Sequence, residues 1–208
     1  MNYLKLISET IQNLAKEFQS NPFNYLYEIE LQAQLYVSLK KLTNENISFN
    51  FTNKEYNDIH TDFSIVRIEY PYNQNWIDIA ILDRNRFISK GFKLNGNPLY
   101  NEPVDIAIEI KYEMFNESKD YHSDIIKLNN LIKNDDEKYR INTGIAILFT
   151  HNKNGISTIH YNDLMINDFN LSIGCVNKVV IYPEIFDLEK GKKIGRAHVW
   201  TPVTEYDI

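Results

Sequence analysis

The chain has 208 residues, 43% hydrophobic and 13% aromatic, enough for one folded domain with a real core. Its formal net charge of -6 excludes a surface that coats phosphate backbones generally, so any nucleic-acid contact is expected to be local. A lone cysteine, Cys175, rules out an internal disulfide and a cysteine-rich zinc cluster; with no run of eighteen apolar residues and no signal-peptide pattern, a cytoplasmic chain without a membrane partner is expected.

Leu4, Ile7, Ile11, Leu14 and Phe18 fall at helical spacing and predict a first amphipathic helix over residues 3–19, broken by Ser20-Asn21-Pro22. A second helix is expected from about Asn24 to Leu42, with Leu31, Leu35, Leu39 and Leu42 as its apolar stripe. Glu28 continues that stripe, whereas Glu30 falls on the opposite side with Gln34 and Lys41. A loop is expected over 43–62. The period then changes to two, so Phe63–Tyr70, Trp76–Leu82 and Val104–Tyr112 read as strands, with Pro71 and Asn73 marking the first connection. A third helix is expected over 123–133. The apolar run TGIAILFT, Thr143–Thr150, predicts a strand buried on both faces, and Val179–Tyr182 a further short strand. The core order is therefore α-β-β-β-α-β: an α/β fold in which a mixed central sheet is flanked by helices and the last strand rejoins it through a helical crossover.

Residues 194–203, Ile-Gly-Arg-Ala-His-Val-Trp-Thr-Pro-Val, match the translation of a sequencing-adapter oligonucleotide in which TGA is read as Trp200. A single domain over 1–193 followed by a non-native tail over 194–208 is expected on that ground.

Strand alternation identifies the candidate chemistry. In the strand from Val104, Ile106, Ile108 and Ile110 share one face, leaving Asp105, Ala107, Glu109 and Lys111 on the other. In the preceding strand Ile77, Ile79 and Ile81 leave Asp78 and Ala80 opposite them. Each strand thus carries an acid beside a small residue, which predicts an acid-lined pocket. Two carboxylates and an amine suit phosphodiester hydrolysis, because hard oxygen ligands hold Mg2+ and a nearby lysine can orient or help deprotonate water.

These residues resemble the PD-(D/E)XK, or restriction-endonuclease-like, nucleases over roughly residues 24–150. Asp78 in WIDIAIL, Glu109-Ile110-Lys111 in IAIEIKY and the helical Glu28 in YEIELQ carry the resemblance. It implies that Asp78, Glu109 and Glu28 bind Mg2+, with Mn2+ as a substitute, that Lys111 is the catalytic lysine, and that the substrate is DNA, with RNA and a homodimer left open. Ile77 stands where the family name has proline. The long interval from Asp78 to Glu109 implies an insertion over 84–103.

An ordinary cross-strand pair on a half-exposed sheet is the competing reading of Glu109 and Lys111, and a helix-end acid that of Glu28. A nuclease-like fold kept only for nucleic-acid binding or assembly is the alternative function. Arg84, Arg86, Lys90 and Lys93, interleaved with Phe87 and Phe92, form the best basic patch for a phosphate backbone, and Lys127 is a weaker phosphate candidate. Glu69 and Asp105 are expected to be peripheral. Absence of HExxH, G-x-S-x-G, P-loop and G-x-G-x-x-G motifs leaves zinc-hydrolase, serine-hydrolase, P-loop and Rossmann readings without support.

Overall fold

The computed structural model describes residues 3–21, 24–43, 46–51, 59–89, 102–113, 119–150, 171–181, 185–187, 192–194 and 198–199. Helix α1 (Tyr3–Ser20) buries Ile7, Ile11, Leu14 and Phe18, the stripe its spacing predicts. Helix α2 (Glu28–Thr43) buries Leu31, Leu35 and Leu39 completely; the side chain of Leu42 lies outside the described residues. It starts four residues later than expected because Glu30 turns back on the chain. Its Oε2 accepts hydrogen bonds from the Leu26 and Tyr27 N–H groups at 2.6 and 3.0 Å, closing the reach-back half of a capping box.

The expected loop over 43–62 instead carries an antiparallel hairpin, β1 (Asn46–Phe51) with β2 (Ile59–Ser64). It takes the start of the strand anticipated from Phe63, so β3 begins at Val66 and runs to Tyr72. β3 turns into β4 (Asn75–Leu82) through Asn73-Gln74, both with positive φ (48° and 62°), the geometry of a two-residue hairpin turn. Pro71 is tolerated within β3 because that strand ends the sheet. Short helix α3 (Arg84–Ser89) follows, then β5 (Val104–Glu113), α4 (Lys119–Ile132), β6 (Thr143–Thr150) and β7 (Val176–Ile181). Two short strands, β8 (Ile185–Asp187) and β9 (Lys192–Ile194), pair with each other, and β10 (His198–Val199) closes the list. Of the anticipated tail only 194 and 198–199 are described; Tyr182 lies outside.

The main sheet has the order β10-β7-β6-β5-β4-β3. β3, β4 and β5 are antiparallel, whereas β5, β6 and β7 are parallel, with α4 carrying the crossover from β5 to β6. All eight residues of β6 are buried, because strands flank it and helices cover both of its faces. By alternation Gly144 and Phe149 point to opposite faces. Phe18 of α1 packs edge-on against Phe149 at 5.1 Å, while α4 lies over Gly144 so closely that a Cβ there would sit 3.0 Å from the Leu128 Cβ. The fold is thus α/β, a mixed sheet between helical layers. The alanines expected to leave open space, Ala80 and Ala107, are instead fully buried, on the face that α4 covers.

Candidate active site

Ladder pairing between β4 and β5 runs from Leu82↔Val104 only as far as Ile79↔Ile108, although both strands continue. The strands part at Asp78 and Glu109. On its other side β4 is irregular at the same point: pairing with β3 skips Glu69, which stands opposite Asp78 with φ 47°. That left-handed conformation costs a non-glycine residue roughly 1–3 kcal/mol and survives only where its surroundings impose it.

Backbone groups freed by this break are satisfied by site side chains, as buried polar groups must be. The Ile110 N–H donates to Asp78 Oδ2 at 2.7 Å, and the Tyr112 N–H to Glu28 Oε2 at 3.2 Å. Gln32 of α2 donates from Nε2 to Glu69 Oε1 (2.6 Å) and to the Asp78 carbonyl (3.1 Å). Asp78 and Glu28 therefore wedge the split open.

Two lysines bridge the acids. Lys111 Nζ lies 3.1 Å from Glu28 Oε1 and 3.5 Å from Asp124 Oδ2. Lys127 Nζ lies 2.6 Å from Glu109 Oε2 and 3.3 Å from Asp124 Oδ1, and donates to the Trp76 carbonyl at 3.0 Å. Glu109 is only 2% exposed, and its second oxygen, Oε1, is buried without a hydrogen-bond partner; Asp124 Oδ2 makes its ion pair with Lys111 but no hydrogen bond.

Burial sets the protonation of the cluster. It pushes the Glu109 carboxyl up to about 8, reinforced by the Asp78 charge and opposed by Lys127. Asp78 is pushed up to about 6, again by burial, against the Ile110 N–H and Lys111. Burial alone would lower Lys111 and Lys127, but the surrounding carboxylates outweigh it and hold both ammonium groups above the usual lysine range. Glu28, Asp78, Glu109 and Asp124, when ionised, exceed Lys111 and Lys127 by two negative charges.

Asp78, Glu109, Lys111 and Glu28 are thus brought together, but Glu28 faces Lys111 and the Tyr112 amide. Among the described residues no group of three or more His, Cys, Asp or Glu side chains is gathered as a ready metal cage. Asp78 and Glu109 are the hard-oxygen donors that suit a divalent cation, and the partnerless Glu109 Oε1 and the excess of two negative charges fit one.

The basic patch fares differently. Arg84 is exposed, but Arg86 is turned inward, ion-paired to Asp83 at 2.7 Å and donating to the carbonyls of Val104, Glu137 and Arg140. Its fork satisfies backbone carbonyls of β5 and of the segment after α4, which removes it from any phosphate patch. Lys90, Phe92, Lys93 and the side chain of Phe87 lie outside the described residues. Asp105 sits at the far end of β5, held by Asn142 Nδ2 at 2.6 Å.

Sequence reading missed Asp124, Gln32 and the pairing of Lys127. Asp124 shares the buried face of α4 with Tyr121, Ile125 and Leu128, so an acid on an apolar stripe was the available signal. Beginning the helix at Ser123 left only one residue of it before Asp124 and hid the phase.

The chain matches no protein-family model, no curated protein and no solved structure.

Proposed function

We propose that the protein hydrolyses DNA phosphodiester bonds with Mg2+, as a nuclease of restriction-endonuclease-like fold. The observation that carries this reading is Glu109: a carboxylate 2% exposed, with one oxygen on Lys127, the other without a partner, beside Asp78 where two strands part. Burying an incompletely satisfied acid next to a second acid costs stability, and such perturbed groups concentrate at functional sites.

Asp78 and Glu109 are the residues that would hold the cation, and Mn2+ suits the same donors. A divalent cation there supplies charge stabilisation at the phosphate and a more acidic water. Lys127 fixes the Glu109 rotamer through Oε2 and leaves Oε1 free. Lys111, held by Glu28 and Asp124, is positioned to orient the attacking water and to stabilise charge developing on the phosphate. Glu28 acts through Lys111 and through the Tyr112 amide.

A second reading, a nuclease-like fold that only binds nucleic acid, is favoured by the pairing of both lysines: Lys111 and Lys127 already engage carboxylates. Incubating the protein with plasmid, linear and single-stranded DNA, in Mg2+, Mn2+ or EDTA, separates the two. Hydrolysis predicts products in either cation, none in EDTA and none from Asp78→Ala. Retention of DNA without products in any buffer supports the binding module instead.

A further inference from the structure

A cavity of about 290 Å³ lies between the β3–β4 turn and α4, at the small end of the range for ligand sites. Its wall is formed largely by carboxamides, Asn73 and Asn75 from the turn and Asn130 and Asn134 from α4, with Ile126 beside them. Among the described residues of that lining the one charged side chain is Lys127, the residue that also grips Glu109 at 2.6 Å. The cavity therefore adjoins the acid cluster. Trp76 flanks it, next in sequence to Asn75 and with its carbonyl bonded to Lys127. By alternation it projects from the same face of β4 as Asp78. Trp76 is 61% exposed, and Ile126 is 59% exposed.

Asn75 Nδ2 donates to the Asn73 carbonyl and Asn134 Oδ1 accepts from the Asp136 N–H, which leaves the exposed Asn130 carboxamide as the edge-reading group. We propose that this groove receives an unpaired nucleobase of the strand lying across the acid cluster, stacked on Trp76 at its rim and bonded at its edge by Asn130. The inference rests on the nuclease reading for its substrate class. A phosphate subsite would need several cations, whereas this lining offers one, already engaged with Glu109. Carboxamides both donate and accept, which matches the mixed edge of a base. An exposed indole supplies the stacking surface that single-stranded nucleic acid uses without needing a particular sequence. A base inside an intact duplex is stacked and cannot enter a concave pocket, so the groove selects single strands, frayed ends or extruded nucleotides.

The test is fluorescence anisotropy with the full chain, Ca2+ replacing Mg2+, and labelled probes: an eight-nucleotide DNA, the same sequence as RNA, and a blunt duplex. Wild type should bind a single-stranded probe more tightly than the duplex, and the tighter of the DNA and RNA arms names the strand. Trp76→Ala should weaken single-strand binding about tenfold, with Trp76→Phe retaining most of it. Asn130→Leu, on the exposed face of α4, should weaken it as well, and duplex affinity should stay unchanged in all three. No binding by wild type, Trp76→Ala or Asn130→Leu binding the single strand like wild type, or equal losses on the duplex overturn the assignment. Single-strand binding that depends on Trp76 without any cleavage in Mg2+ upholds the groove and removes the nuclease reading. Cleavage with no dependence of binding on Trp76 does the reverse.

Discussion

Replacing Glu109 by glutamine changes how stability responds to pH, in a direction the structure dictates. The carboxyl is raised from 4.5 to about 8 in the folded chain. Between those values the native state binds more protons than the unfolded state, so wild-type stability falls as pH rises through the window and levels off above about 8. Each tenfold step is worth about 1.4 kcal/mol, which caps the loss near 5 kcal/mol; Lys127 and relaxation around the site make roughly half of that a realistic expectation. Glutamine cannot ionise, so the variant lacks this slope. Below about pH 8 the wild-type carboxyl is itself neutral beside Lys127, which stays charged throughout the window, so glutamine alters that contact little until Glu109 ionises. Urea unfolding of both proteins at half-unit steps from pH 4.5 to 9 measures the effect. Stability of Glu109→Gln relative to wild type should climb by about 2–5 kcal/mol across the window and be flat above it. Parallel curves would show that Glu109 is neither buried nor perturbed as described, and the account of the cluster would fall with it.

Three further outcomes follow from the same contacts. Mg2+ at ten times its dissociation constant should stabilise wild type by about 1.4 kcal/mol, a rise in Tm of roughly 3–6 °C, and Asp78→Asn by much less; equal shifts in differential scanning fluorimetry would contradict a cation at Asp78 and Glu109. Arg86→Ala should cost about 3 kcal/mol in urea unfolding, because Asp83 Oδ2 and the carbonyls of Val104, Glu137 and Arg140 lose their guanidinium donor, with no change in oligonucleotide affinity; intact stability with weakened DNA binding would restore Arg86 to a phosphate patch. Glu30→Ala should cost about 1 kcal/mol through the lost cap and leave turnover intact, whereas Glu28→Ala should lower turnover; the reverse pattern in paired unfolding and cleavage assays would mean that α2 is in a different phase.

Much of the fold was legible wherever one physical pattern dominated. The unbroken apolar run of β6 can only be buried on both faces, and the alternating isoleucines of β4 and β5 fix which side Asp78, Glu109 and Lys111 occupy. Helical phase separated Glu28, which reaches β5, from Glu30, which caps its own helix. The hairpin β1–β2 escaped because its segment mixes Asn, Thr, Ser and Phe without a clean period. The opening between β4 and β5 escaped for another reason: it is created by side chains replacing ladder bonds, with Asp78 taking the Ile110 amide and Glu28 the Tyr112 amide, and no local pattern announces such an exchange. Lys127 read only as a weaker phosphate candidate because its partner, Glu109, stands on a strand before the helix and meets it only after the crossover. Small residues misled in one respect, since Ala80 and Ala107 lie buried under the face that α4 covers, while the opening lies one step along at Asp78.

Single-turnover cleavage by wild type, Asp78→Ala, Lys111→Ala and the double variant bears most directly on the claim that this cluster hydrolyses phosphodiesters. Each single substitution should slow cleavage at least about 100-fold in Mg2+, and the double variant should be little slower than either, because groups acting on one transition state do not contribute additively. Rates for the single variants within a few-fold of wild type would contradict the assignment of chemistry to Asp78 and Lys111.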